Sequence, residues 1–273
     1  QGAARYGQIM PRYAFQIEYD GSPFAGWQRQ INQSSVQGSI EAALARLEPG
    51  PHSVIAAGRT DAGVHASAQV AHVDLAKDWD TYRLSEALNH HLRPHPIAIL
   101  ACERVSNDFH ARFSATQRSY RYTLLNRSTR PGYQAGTLGW ERVQLDTQRM
   151  HDAAQALVGE HDFSSFRSAE CQAKHAVRLL KRITVSRDRD RVLIELTANG
   201  FLHNMVRIIT GCLLAIGRGD KPQGWIADLL AARDRTLAGA TAPPRGLCFL
   251  QPGYPPEFGI PDFEQLRLNP WHP

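Results

Sequence analysis

The sequence predicts an α+β chain built from two ferredoxin-like or RNP-like α/β subdomains. Two observations carry that expectation. Residues 12–105 alternate strand and helix patterns in the order β-α-β-β-α-β, the element order of a split βαβ unit. The remainder again mixes strands with helices, in an order that allows a second copy of that topology, although no repeat is visible by residue identity. A shift in composition near residue 106 divides the chain into a first unit, 12–106, and a second, 107–273. Residues 1–11 are set apart as an N-terminal extension, native or added: they begin without Met and hold no apolar signal-peptide core.

In chain order, Arg12–Tyr19 alternates apolar and polar residues, the pattern of a strand, and Asp20-Gly21 turns the chain. Residues 23–30 form a loop whose Phe24 and Trp27 either pin it to the core or face a ligand. Ser34 with Gln37 three residues later is a capping-box signature. Val36, Ile40, Ala43, Leu44 and Leu47 then recur at helical spacing until Pro49-Gly50-Pro51. Strands are expected at 53–56 and 69–73, with a glycine-bounded loop between them. Thr81–Leu92 places Leu84, Leu88 and Leu92 on one helix face, and Ile97–Val105 is a further strand.

The second unit begins with a strand at 119–125 and a helix at 144–158, followed by a polar-aromatic loop at 159–167. Residues 177–187 and 191–198 form a hairpin whose tip, Arg187-Asp188-Arg189-Asp190-Arg191, mixes both signs as a solvated turn does. Helices follow at 208–216, stopped by Gly217-Arg218-Gly219, and at 222–232. Residues 246–250 are the last strand, ahead of an irregular tail with Pro252, Pro255, Pro256, Pro261, Pro270 and Pro273.

A net charge of +5 and a pI near 9.2 lean toward an anionic partner. Residues 107–130 sharpen this. Arg112, Arg118, Arg121, Arg127 and Arg130 are interleaved with Phe109, Phe113, Tyr120 and Tyr122, and Asp108 is the sole acid. Arginines neutralise phosphates and rings stack on unpaired bases. The competing reading is an ordinary strand whose Tyr120, Tyr122 and Leu124 are core. The four cysteines, Cys102, Cys171, Cys212 and Cys248, form no C-x-x-C pair, so a reducing, cytoplasmic setting is expected. No apolar run approaches membrane-spanning length. His90, His91, His95 and His110 complete no recognisable ligand set, so no metal is expected. No phosphate-binding loop, dinucleotide fingerprint or nucleophile elbow is present, so no cofactor is expected either.

The most chemically suggestive stretch is Gly58-Arg59-Thr60-Asp61-Ala62-Gly63-Val64-His65. It presents one carboxylate, Asp61, on a tight loop between two strands. Such a carboxylate is a nucleophile, a base or a turn residue, and spacing alone does not choose. Arg207 lies amid apolar neighbours, where a cation pairs with a carboxylate or extends to solvent.

Taken together, these stretches resemble the bacterial tRNA pseudouridine synthase A family. The glycine-bounded loop is the most specific match. Supporting it are Tyr19-Asp20-Gly21 with Gly26-Trp27-Gln28, Phe109-His110-Ala111-Arg112-Phe113-Ser114-Ala115 and Arg118-Ser119-Tyr120-Arg121-Tyr122. Further on come His161-Asp162-Phe163 with Phe166-Arg167, Phe201-Leu202-His203-Asn204-Met205-Val206-Arg207, and Gly246-Leu247. The likeness runs from about residue 12 to residue 254.

The resemblance implies a mainly antiparallel mixed sheet with a central active-site cleft. It also implies isomerisation of uridine to pseudouridine at positions 38, 39 and 40 of the tRNA anticodon stem-loop, by a homodimer needing neither cofactor nor metal. By the same resemblance Asp61 is the catalytic nucleophile, Tyr120 stacks on the uracil and is a candidate proton acceptor, and Arg207 pairs with Asp61. Arg59 assists base flipping, Thr60 lies with it in the substrate-binding loop, and Leu247 lines the pocket. RNA contacts are implied for Phe109, His110, Ala111, Arg112 and Phe113, and on weaker matches for Arg167, Gln172, Lys174 and Lys77. Phe249-Leu250-Gln251-Pro252 departs from the valine-rich strand end of the family, which leaves the pocket edge open. The runner-up is a non-catalytic tRNA-binding or RNA-chaperone protein on the same fold. A carboxylate-dependent hydrolase would need a second acid beside Asp61, for which no motif is found.

Overall fold

The structure is a computed structural model that describes residues 10–262. Most of the 1–11 extension, and Pro270 and Pro273 of the tail, lie outside the described residues. The strands are β1 (Arg12–Tyr19), β2 (Ile55–Ala56), β3 (His65–Asp74), β4 (Ile97–Val105), β5 (Gln117–Asn126), β6 (Gly139–Glu141), β7 (Gly159–Asp162), β8 (Val177–Asp188), β9 (Arg191–Ala198) and β10 (Leu247–Gly253). The α-helices are α1 (Val36–Leu47), α2 (Thr81–Leu92), α3 (Thr147–Ala154), α4 (Met205–Gly217) and α5 (Trp225–Ala232).

All the strands join one mixed, mostly antiparallel sheet in the order β4-β1-β3-β10-β5-β9-β8-β7, with β2 on β3 and β6 on β5. Within it, β4-β1-β3-β2 is one ferredoxin-like unit, with α1 and α2 between its strands, and β10-β5-β9-β8 is a second, with α3 in its first crossover and α4 and α5 in its second. The duplicated topology expected from element order is therefore present. Residue 106 falls between β4 and β5, and a single sheet runs through both units.

The seam follows from one short strand. β2 pairs only with Ala71 and His72 of β3. The other end of that edge, His65 and Ala66, is left to Cys248 and Phe249 of β10, which run parallel to it. β10 also pairs antiparallel with β5, so the last strand joins the two halves.

Burial explains the elements. Tyr13, Phe15, Ile17 and Tyr19 of β1 share one apolar cluster with Ile40 and Leu44 of α1 and Leu84 and Leu88 of α2. The opposite face of the sheet is covered too. There Ala14, Val70, Val105, Phe109 and Ala111 pack with Tyr254, Phe258 and Ile260 of the returning tail. β1 is thus buried on both faces, and its polar Gln16 is covered by a hydrogen bond from its Nε2 to the Pro261 carbonyl.

Several local expectations shift. The cap of α1 is Ser35, whose Oγ accepts from Gly38 N at 3.2 Å, not Ser34. Gln37 turns inward instead, its Nε2 donating to Glu41 Oε1 and the Val54 carbonyl at 3.1 Å each. α3 begins at Thr147 because Asp146 caps it, accepting from Arg149 N at 3.0 Å. The expected loop at 159–167 is edge strand β7 and a 3-10 turn, Ser164–Phe166, and its Phe163 and Phe166 are fully buried core. β6, three residues long and parallel to β5, carried no sequence signal.

Candidate active site

The Asp61 loop is gripped from several sides. Where β2 ends, Ala57 N donates to the Val70 carbonyl at 2.8 Å. Buried Gln69 then donates from Nε2 to the Gly58 carbonyl at 2.8 Å. Thr60 is held by its carbonyl, which accepts from Trp27 N at 2.9 Å, and by a buried 2.7 Å hydroxyl contact with Tyr19. Val64 N closes the turn onto the Asp61 carbonyl at 3.1 Å. Gly26, at φ +104, passes so close that a Cβ there would lie 2.7 Å from the Thr60 carbonyl oxygen. Phe24 and Trp27 are buried, so the 23–30 loop is pinned to the core and braces the Asp61 loop.

The loop forms one wall of a cleft of about 1280 Å³. Arg59, Arg112, Arg118, Arg178 and Arg207 line it, against the acids Asp61 and Glu170. The Asp61 side chain keeps 34% of its surface exposed. His203 Nε2 stands 3.3 Å from its Oδ1, and Arg207 Nη1 stands 3.8 Å from its Oδ2. Both come from the start of α4, where Asn204 adopts a left-handed φ of 60°. Arg207 is anchored by shorter bonds, to the Ala242 carbonyl at 2.7 Å and to Asn204 Oδ1 at 2.8 Å. Burial lowers its guanidinium pKa, and the charge of Asp61 opposes that shift.

Tyr120 of β5 lies beside this group. Its ring meets Phe201 and Phe249 edge-on, with centroids 5.1 and 5.0 Å away. Burial foremost, then Tyr19 and Asp61, raises its phenol pKa well above the ordinary value. The hydroxyl is therefore neutral. Leu247, at the first position of β10, is buried and completes the apolar side of the cleft. Arg59 is exposed at the cleft wall and makes no hydrogen bond or ion pair among the described residues. The structure thus brings Arg59, Thr60, Asp61, Tyr120, Arg207 and Leu247 to one cleft.

The expected RNA contacts divide. Phe109 and Ala111 are fully buried beneath the tail, so their side chains cannot meet RNA; they support the turn. His110 organises that turn, its Nδ1 accepting from Arg112 N and Phe113 N at 3.2 Å each. Arg112 and Phe113 are the residues this turn delivers to the cleft, and Phe113 is 76% exposed. Gln172 is exposed and lines the cleft, whereas Lys174 and Lys77 are exposed outside its lining. Arg167 faces a separate pocket.

The arginine-rich stretch is largely structural. Arg118 donates to the carbonyls of Ala57, Arg112, Ala115 and Asn199, Arg121 pairs with Glu195 at 2.6 Å, and Arg127 with Asp190 at 3.0 Å. His203, adjacent to Asp61, had been given no role from sequence. Its spacing four residues before Arg207 was the available signal. Among the described residues no group of three or more His, Cys, Asp or Glu is placed to hold a metal ion.

A family model described as tRNA pseudouridine synthase matches residues 16–114 and 153–255, and the chain belongs to that family. Among curated relatives, tRNA pseudouridine synthase A of Stenotrophomonas maltophilia (strain R551-3) is 51% identical over 253 residues, covering 92% of this chain and 98% of the relative. The protein of the same name from Xanthomonas campestris pv. campestris (strain B100) is 50% identical over 260 residues, with the same coverages. That of Cereibacter sphaeroides (strain ATCC 17023) is 50% identical over 250 residues, covering 90% and 98%. A chain in the solved structure titled "Crystal Structure of a Cbf5-Nop10-Gar1 Complex" is similar at a TM-score of 0.34 and 10% identity, over 88% of this chain and 58% of that one. The activity is that of a tRNA pseudouridine synthase, an isomerase.

Proposed function

We propose that this chain isomerises uridines 38, 39 and 40 in the anticodon stem-loop of tRNA, with Asp61 as nucleophile toward a flipped-out uridine. One observation carries the reading. The partly exposed Asp61 carboxylate is flanked by His203 at 3.3 Å and Arg207 at 3.8 Å, in a basic cleft that also holds Tyr120.

The target base first leaves its stack, at a cost of a few kcal/mol. Arg59, exposed and with no hydrogen-bond or ion-pair partner among the described residues, takes the vacated space and holds the flanking backbone. The uracil enters between the Tyr120 ring and the Leu247 side chain. His203 and Arg207 face the two oxygens of the Asp61 carboxylate and orient it for attack. Attack at C1′ or at C6 leads to the same exchange: the N1–C1′ bond breaks, the uracil turns, and C5 bonds to C1′. The proton on C5 then departs, with Tyr120 the candidate relay: its neutral hydroxyl gives its own proton to solvent as its oxygen takes the one from C5. Bonds are exchanged within one nucleotide, so the reaction has no net oxidation or reduction. The non-catalytic RNA-binding alternative is not favoured, because the family is enzymatic.

Tritium at C5 of uridine tests the reading directly. Wild-type protein is expected to release it from tRNA with no added cofactor, and Asp61→Asn to abolish release while tRNA affinity changes little. Absence of release from every tRNA tested overturns it. The working form is proposed to be a cytoplasmic homodimer with RNA spanning both copies. Light scattering at assay concentration checks this, and a monomer overturns it.

A further inference from the structure

Residues 170–173 line the cleft, and the residues just before them line a second pocket of about 470 Å³. Its walls include Ser164, Arg167, Ser168, Arg233, Asp234 and Arg235. Three guanidinium groups gathered around one concavity repel each other, and an anion between them removes that cost.

The acids nearby are already engaged. Asp234 turns its carboxylate onto its own turn, where Oδ1 accepts from Thr236 N at 2.8 Å and Thr236 Oγ1 at 2.7 Å. Asp162 Oδ1 accepts from Ser164 N at 2.9 Å and Ser164 Oγ at 2.6 Å, and only its Oδ2 faces Arg233, at 3.8 Å. Arg233 is 67% exposed, and Arg167 makes no hydrogen bond or ion pair among the described residues. Arg235 is braced by the Ala238 carbonyl at 3.5 Å and Thr241 Oγ1 at 3.2 Å, which spends only part of its donor set.

The pocket is rigidly mounted. Ser165 Oγ donates to the Leu229 carbonyl of α5 at 2.5 Å. Ser168 N donates to the carbonyl of His203, the residue next to Asp61, at 3.1 Å. We infer that this pocket binds a backbone phosphate of the tRNA at a nucleotide other than the one held in the cleft. Planar guanidinium forks match phosphate oxygens, and a contact outside the cleft fixes the register in which the RNA lies across it. The inference rests on tRNA as the substrate, but not on the identity of the nucleophile.

The test pairs Arg167→Gln with Arg233→Asn; asparagine tolerates the left-handed φ of 52° at position 233. Affinity for full-length tRNA is measured by anisotropy between about 50 and about 300 mM salt. The double variant is expected to bind on the order of tenfold more weakly at physiological salt, with the slope of log K against log salt shallower by about one. Arg167→Lys with Arg233→Lys should restore most of the slope. An unchanged slope and affinity in a folded variant overturns the inference. If the double variant does not fold, hydrogen exchange on the wild type decides: tRNA should protect residues 164–169 and 233–237, and no protection there overturns it. Tritium release by the wild type is scored separately, so failure of the isomerase reading is distinguishable from failure of this one.

Discussion

His203 Nε2 approaches Asp61 Oδ1 to 3.3 Å, closer than Arg207 comes to the other carboxylate oxygen, at 3.8 Å. The two oxygens of Asp61 are therefore held by two residues spaced four apart at the start of α4. His203 is placed to set the direction of the carboxylate, and the half-buried Arg207 to supply the opposing charge. Replacing His203 with Ala should lower kcat for tritium release about tenfold, near 1.4 kcal/mol, with little change in KM. His203→Asn, which can still donate to Oδ1, should recover part of the loss. Equal rates for wild type and His203→Ala would remove His203 from the positioning of Asp61.

Tyr120 offers a separate test. Its ring is held edge-on by Phe201 and Phe249, so Tyr120→Phe preserves the platform and removes only the hydroxyl. Affinity for tRNA should be retained, while release of the C5 tritium slows by one to two orders of magnitude, about 10–100-fold. Unchanged release would leave Tyr120 a stacking role alone.

Gly26 bears on the loop from behind. A Cβ at that position would lie 2.7 Å from the Thr60 carbonyl oxygen, and φ is +104. Gly26→Ala should destabilise the protein by about 2–4 kcal/mol, through steric conflict and backbone strain together. Activity should fall further than the folded fraction, since the displaced backbone carries Asp61. Denaturant titration beside a tritium assay at matched folded concentration separates the two losses.

The buried His72 gives a pH signature. Burial first, then the charges of Arg12 and His110, lowers its pKa from 6.5 to about 4. The neutral ring accepts from Ala111 N at 3.1 Å, and protonation there removes the acceptor. Because the folded-state pKa is depressed, this contribution to stability is full above pH 6.5 and is lost as pH falls toward about 4. Tm should drop across that window, and His72→Asn should flatten the drop. An equally steep profile in the variant would assign the acid sensitivity elsewhere.

Sequence periodicity located what local pattern controls. β1, α2 and β4 begin and end where the alternation and the leucine spacing place them, because the apolar positions that set each pattern are the ones that reach the core. Residue pattern alone left Asp61 a nucleophile, a base or a turn residue and Arg207 paired or extended to solvent; the resemblance singled them out, and the structure puts Arg207 Nη1 3.8 Å from Asp61 Oδ2. The arginine-rich stretch left two readings open because charge in sequence does not reveal who neutralises it. Arg121 and Arg127 find Glu195 and Asp190 across the sheet, and Arg118 spends its donors on carbonyls. Phe109 and Ala111 misled for the converse reason: a motif next to the cleft includes the residues that hold it up. His203 was missed because its contact with Asp61 depends on the left-handed Asn204, a backbone turn that composition does not announce.

The position of β10 has a consequence for biosynthesis. Cys248 and Phe249 complete the edge of β3 laid down almost two hundred residues earlier, and Leu247 enters the cleft on the same strand. A nascent chain emerging from the ribosome can form the Asp61 loop early, yet it cannot close the cleft until residues near 250 have been made. Until then β3 and β5 each carry an unpaired edge, the feature most open to intermolecular strand pairing. A complete cleft and protection of those edges thus arrive together, once β10 has been made, and a ribosome stalled before that point holds a chain that has neither.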